Sequence, residues 1–299
     1  MSLWIYVTVA AAIFQTLRFM LQKSLSTTRL SAAGATFSRF AYSAPPLLLL
    51  LAAYLGVTGT ALPALGPAFW AYALLGGTTQ IFATLAVVLL FKERNFAVGI
   101  TFKKTEVVQT ALAGFLLLGE GVSTGALLAI LIGLAAVLLL SHSGATSGAW
   151  WRHLTTRASL LGLGSGVLFA FSAVGYRAAS LQVDAVAWQR AALTLAVVVT
   201  LQMVSMGLWL VLRDRAELRA VWAARRVAVW VGLTSLGGSF CWFLAFTLQN
   251  AAYVNALGQI EMVFSLLASV LFFREVITRR ELLGMALLGL SILLLILAI

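Results

Sequence analysis

Residues 102–120 read FKKTEVVQTALAGFLLLGE, and residues 258–275 read GQIEMVFSLLASVLFFRE. Each run carries a glutamate within an apolar stretch, Glu106 and Glu261, and a second one 14 residues on, Glu120 and Glu275. The same shift of 155 relates both pairs, and it sets Thr110 opposite Ser265 and Ala113 opposite Ala268. Upstream, TFSRF around Arg39 reads against AWQRA around Arg190, and Gly76–Gly77 against Gly237–Gly238. Leu- and Ala-rich helices always align loosely. Several polar landmarks in one order instead point to an internal duplication.

Working outward, ten long apolar segments can be marked, at about 3–22, 32–55, 68–91, 96–118, 122–140, 159–179, 185–212, 227–248, 251–273 and 282–299. A helix needs roughly 20 apolar residues to cross about 30 Å of hydrocarbon, and nearly every segment has that length. The odd-numbered connections hold Lys23 and Arg29, Lys92 and Arg94, Arg152 and Arg157, then Arg213, Arg215, Arg219, Arg225 and Arg226, and finally Arg274, Arg279 and Arg280. The even-numbered connections and both ends hold no Lys or Arg. Basic short loops stay in the cytoplasm, so both termini are predicted on the far, periplasmic side of what reads as a bacterial inner membrane. Five spans per half is an odd number, so the second copy enters the membrane inverted. The predicted fold is an all-α integral membrane protein of ten transmembrane helices. Its two inverted five-helix repeats are residues 1–140 and 159–299, joined by a cytoplasmic linker, 141–158. Inverted repeats characterise secondary transporters.

Composition narrows the function. The chain is 62% hydrophobic and 10% charged, against about 25% charged in soluble domains. The net charge of +11 is spread through five short loops, where it sets topology and meets anionic lipid; no nucleic-acid partner is expected. Cys241 is the sole cysteine, so no internal disulfide forms, and the amino end has no cleavable-signal pattern. His142 and His153, the only histidines, lie in the inter-repeat connection. Without a base at membrane depth, an intramembrane enzyme is disfavoured. No cofactor and no metal site are expected. Duplication within one chain supplies one complete pathway, so the working unit is expected to be a monomer or weak homodimer in the lipid bilayer.

The two five-span repeats, each ending in a glutamate and a Gly-containing helix (LLGE…GLAAVLLL and FFRE…GLSILLLIL), resemble the EamA-type branch of the drug/metabolite transporter superfamily. In length and repeat layout the chain is similar to its YddG-like aromatic amino-acid exporters. The resemblance implies export or exchange of small metabolites. That family commonly has a proline in the fourth helix of each repeat, where this chain has Val107 and Met262, and its ten-span members usually keep both ends in the cytoplasm.

Charges within the spans mark the candidate site, because an ion at mid-bilayer costs at least about 2.5–3.5 kcal/mol. Arg177 and Arg190 lie near span ends and can snorkel; Arg18 and Arg39 lie deeper. Lys103 and Glu106 share a helical face that Gly99, Thr110 and Ala113 continue, and Lys104 is rotated about 100° from it. Glu261 has Asn255, Gln259 and Ser265 as its polar neighbours in sequence, so it is either protonated or takes a cation from another helix. Glu106 and Glu261 are the candidate proton-coupling residues. Gln15, Gln80, Trp188, Trp242 and Phe246 complete the expected cavity lining. Pro45, Pro46 and the glycine pairs Gly76–Gly77 and Gly237–Gly238 are candidate hinges. A zwitterionic amino acid needs a cation, an anion and an apolar wall, which Lys103 or Lys104, Glu261 and Trp242 could supply. The expected function is therefore secondary transport, in the export direction, of small carboxylate-bearing metabolites, amino acids first. The alternatives are a multidrug or cationic-compound exporter, or a nucleotide-sugar or phosphate exchanger of the same superfamily.

Overall fold

In a computed structural model, residues 2–93, 102–141, 156–264, 266–267 and 278–299 are described. Twelve helices are defined there: α1 Leu3–Thr28, α2 Ala32–Ala41, α3 Ala44–Thr58, α4 Pro67–Leu90, α5 Glu106–Leu118, α6 Thr124–Ser141, α7 Arg157–Leu181, α8 Ala187–Arg213, α9 Arg215–Ala223, α10 Arg225–Leu248, α11 Ala251–Gly258 and α12 Arg279–Leu297. No strand occurs among the described residues. With α2 and α3 counted as one, seven spans are long and apolar enough to cross a membrane, and α5 and α6 are shorter apolar helices. This is an integral membrane protein. Gly99, Ser265, Ala268, Glu275, Arg94, Arg152, Arg274 and both histidines lie outside the described residues, as does most of the expected linker.

The connections sort into two ends, as the charge pattern requires. Ser31 N–H in the first connection donates to Glu217 Oε1 in the seventh (2.7 Å), and Arg157 pairs with Glu93 across the fifth and third (3.2 Å). At the opposite end, Tyr253 Oη accepts from Ser123 N–H (3.2 Å), and Gln189 Nε2 donates to Tyr54 Oη (2.9 Å). Among these contacts, residues in or beside odd-numbered connections meet one another, as do span-end residues beside even-numbered ones.

The longest packing seams run between α4 and α7, α1 and α10, and α6 and α12. At the first of these, a Cβ on Gly175 would lie 3.0 Å from Gly76 Cα, so only glycine lets the two backbones approach. Gly237 and Gly238 do the same for α10 against Phe14 of α1, where added Cβ atoms would come within 2.9 and 3.0 Å of the ring side chain.

Two spans are less continuous than their apolar runs suggest. Pro45 and Pro46, whose missing N–H donors in the middle of the second apolar run predict a kink there, do not kink the middle of a helix. The second span breaks earlier, at Tyr42–Ser43, and the prolines fall in the first turn of α3, where the missing N–H donors have no intrahelical partner to lose. The fourth span is likewise not one helix through Lys103 and Glu106. The chain turns at Lys104–Thr105 and α5 starts at Glu106; it turns again at Gln259–Ile260 and resumes as helix at Glu261. At both places the ladder tightens to i→i−3 bonds, such as Thr105 N–H to Phe102 O (3.2 Å) and Met262 N–H to Gln259 O (2.9 Å). The two breaks are related by the same 155-residue shift as the glutamates. Neither needs a proline.

Candidate functional site

The breaks set each glutamate at the start of a new helical segment, where the positive end of the helix dipole favours a carboxylate. Lysines complete the arrangement. Lys103 Nζ lies 2.8 Å from Glu106 Oε2, and Lys104 Nζ pairs with Glu261 Oε1 across the two halves of the chain. One tight turn thus sends neighbouring lysines to different carboxylates, as their rotation about a helix axis anticipates. The cation that Glu261 meets comes from the other half of the chain, on a turn between helices.

A chain of contacts leads on from Glu261. Its Oε2 accepts from Gln15 Nε2 of α1, whose Oε1 accepts from Trp242 Nε1–H of α10 at 3.1 Å. Trp242 in turn stacks on Phe246 at 5.6 Å and 21°, and its indole rests directly on Gly258, with no room for a Cβ there. Asn255 Nδ2 donates to Thr110 Oγ1 (2.9 Å), tying α11 to α5, and Gln259 Nε2 reaches Asn255 O at 3.4 Å.

Arg39 lies 8% exposed and has only neutral partners. Its Nη1 donates to Thr84 Oγ1 (3.1 Å) and its Nη2 to Ser239 Oγ (3.3 Å). The Gln80 amide satisfies both its neighbours when its oxygen faces Arg39 (2.9 and 3.1 Å) and its nitrogen faces Ser172 Oγ (2.6 Å). Arg18, 4% exposed, lies over the Phe19 ring at 4.3 Å, and its Nη1 has no hydrogen-bond partner. Lys103 Nζ also sits 4.9 Å from the Phe169 ring centroid.

These groups surround one cavity of about 60 Å³, lined among others by Gln15, Arg39, Gln80, Lys103, Glu106, Trp242, Phe246 and Asn255. Sites that hold drug-sized ligands run to roughly 300–1,000 Å³, so the cavity is smaller than these. Arg18, Lys104, Gln259 and Glu261 are buried beside it rather than lining it. The expectation that Trp188 and Arg190 share this cavity is corrected. Trp188 packs edge-on against Tyr54 (5.1 Å) in a separate groove of about 450 Å³ between α3 and α8, and Arg190 Nε donates to the Ala185 carbonyl (2.6 Å). Both sit at the start of α8, too near its end to reach the centre.

Sequence reasoning passed over Phe169, Ser172, Tyr176, Ser239 and Phe243, which line the cavity. Tyr176 stacks on Phe243 at 4.2 Å and its hydroxyl accepts from Gln202 Nε2 (3.2 Å). Hydroxyls and aromatics in apolar helices carry no sequence signal that separates lining from packing. Arg177, near enough to its span end to snorkel, is instead held by protein groups. Its Nε contacts both Glu120 oxygens (2.8 and 2.9 Å), and its Nη1 donates to the carbonyls of Phe246 and Gln249 (2.8 Å each). Gly119, at φ +65°, turns the chain after α5 and so aims Glu120 at this guanidinium.

Among the described residues, the centre therefore gathers four cations (Arg18, Arg39, Lys103 and Lys104) and two carboxylates. No group of three or more His, Cys, Asp or Glu capable of holding a metal occurs among those residues.

No curated protein matches the chain in sequence. A crystal structure described simply as that of a protein superposes with a TM-score of 0.72 over 99% of this chain and 96% of its own, at 15% identity. That likeness concerns the fold. In sequence, residues 156–297 of this integral membrane protein match the EamA-like transporter family, the family to which its second half is similar.

Proposed function

We propose that the protein is a secondary transporter of the drug/metabolite superfamily. It moves small carboxylate-bearing metabolites, amino acids first, out of the cell by alternating access through the central cavity, in the manner of the aromatic amino-acid exporters. The observation that carries this reading is the pair of helix breaks at equivalent places, each starting a helical segment at a glutamate, with both partner lysines supplied by the first break beside one mid-bundle cavity. Discontinuous helices of this kind form the substrate sites of many transporters. Two inverted five-helix halves, 1–140 and 159–299, are supported by the packing seams: a two-fold exchanging the halves turns the α1–α10 seam into the α4–α7 seam and leaves α6–α12 in place.

In this scheme the substrate carboxylate is drawn to Arg39 and Lys103, an ammonium to Glu106, and a side chain to Trp242 and Phe246. Glu106 and Glu261 are the groups through which a proton gradient would act, with exchange requiring the lysine pairs to part. The small cavity calls for outward displacement of its walls before substrate enters. Gly76–Gly77, Gly237–Gly238, Pro45 and Pro46 lie at the seams and breaks where that displacement would be taken up. A cationic-drug reading is less favoured, because the buried cations outnumber the carboxylates. The termini lie on the periplasmic side in this orientation.

Proteoliposomes loaded with labelled amino acids, phosphorylated metabolites or lipophilic cations, with and without a pH gradient, test the proposal. Saturable amino-acid flux supports it. Flux of cations alone refutes it.

A further inference from the structure

Charge accounting at the cavity leads beyond the organic substrate. Lys103 is taken by Glu106 and Lys104 by Glu261. Arg39 and Arg18 remain, both more than nine-tenths buried, and no salt bridge from either to a described carboxylate is present. Arginine stays protonated, and an unbalanced buried ion is costly wherever water is excluded. An anion in the cavity would balance this centre. The cavity is too small for an organic acid with a side chain, but about 60 Å³ admits a few water-sized particles, and chloride is only slightly larger than water.

Positive charge and donors face that volume. Arg39 lines it with its charge unpaired, its Nη hydrogens going to Thr84, Ser239 and Gln80; Ser239 lines it with its oxygen accepting from Arg39 Nη2 and so keeps its own proton to give; and Lys103 has ammonium hydrogens beyond the one used by Glu106, the one carboxylate in the lining.

We propose that the central cavity is a binding site for a small monovalent inorganic anion, held by Arg39, Lys103 and Ser239, and that the organic anion enters by displacing it. The displacement step rests on the transport reading above; the anion site does not.

The test uses the purified full-length chain in detergent, with sodium chloride replaced stepwise by sodium gluconate at constant ionic strength. Melting temperature is expected to rise saturably with chloride and with bromide, but not with the larger gluconate. Arg39→Met is expected to lose about 10- to 100-fold in apparent chloride affinity, the worth of one hydrogen bond to a charged group. Ser239→Ala, a milder change, is expected to weaken it less, and it carries the test with the wild-type anion series if the arginine variant does not fold. Equal wild-type responses to chloride and gluconate overturn the site, as do unchanged responses in both variants. In proteoliposomes, chloride on the opposite side is expected to accelerate organic-anion flux. Chloride binding with flux indifferent to that chloride upholds the site and overturns the displacement.

Discussion

Replacing Glu261 with glutamine leaves the Lys104 ammonium 3% exposed with its carboxylate gone. Breaking a buried ion pair by removing one partner costs about 3–5 kcal/mol, while removing both charges together is often neutral. The glutamine oxygen can still accept from Lys104, so the lower end applies: about 3 kcal/mol, or a factor of roughly 150 in the folded-to-unfolded ratio. Lys104→Met should cost a similar amount, because it strands the Glu261 carboxylate with Gln15 as its remaining partner. The double variant Lys104→Met/Glu261→Gln should recover most of the loss, giving a coupling energy of about 5 kcal/mol in the cycle. Unfolding of all four proteins in detergent, by heat or by a denaturing-detergent titration, measures the cycle. The reasoning fails if Glu261→Gln is as stable as wild type, or if the double variant is as damaged as the two singles summed. Transport by the same set then separates roles. A stable double variant that transports normally makes the pair a structural tie, and a stable one that does not transport makes it part of the working site.

Gly76→Ala should destabilise the protein by about 1–3 kcal/mol, because its Cβ would lie 2.7 Å from the Tyr176 ring in the α4–α7 seam; Gly77→Ala, with its nearest atom at 3.6 Å, should be close to neutral, and equal melting temperatures would contradict this. Gly258→Ala should push Trp242 into the cavity and reduce transport of bulky substrates more than small ones; unchanged uptake of the bulkiest substrate would refute it. Arg177→Met should lower the melting temperature by removing charge-assisted bonds worth about 1.5–3 kcal/mol each, and Glu120→Gln should do so less, since two of the bonds go to backbone carbonyls. In a Cys241→Ser background, Ser2→Cys should react with a membrane-impermeant maleimide added outside intact cells; labelling only after lysis would reverse the orientation.

Much of this architecture could be read from residues alone, for identifiable reasons. Loop charge is set by the membrane and not by packing, so the basic connections predicted two ends, and the Ser31–Glu217 and Arg157–Glu93 contacts follow them. The shared spacing of the glutamates could be read because a glutamate in an apolar run has few alternatives, whereas the helix breaks beside them could not, since no proline marks them and the apolar runs continue through. Depth was less legible. Arg39 and Arg190 matched as repeat partners, yet one reaches the centre and the other stays at a helix end, since a few residues along a helix change depth by several ångströms. Trp188 looked like Trp242 in sequence; only the third dimension separates a groove near the surface from the central wall. Tyr176, Ser172 and Ser239 were invisible, because their role is set by which helix faces them.

The Lys104–Glu261 pair spans 157 positions of sequence, and that separation has a meaning during synthesis. At about 5–20 residues per second, Lys104 leaves the ribosome roughly 8–30 s before its counter-ion exists. The nascent first half must therefore wait in or beside the membrane with an unbalanced lysine, and Ser31 likewise waits for Glu217. Membrane insertion of this chain is thus a race between arrival of the second half and the surveillance that removes exposed intramembrane charge, and slow translation between residues 104 and 261 should lower yield without altering the finished protein.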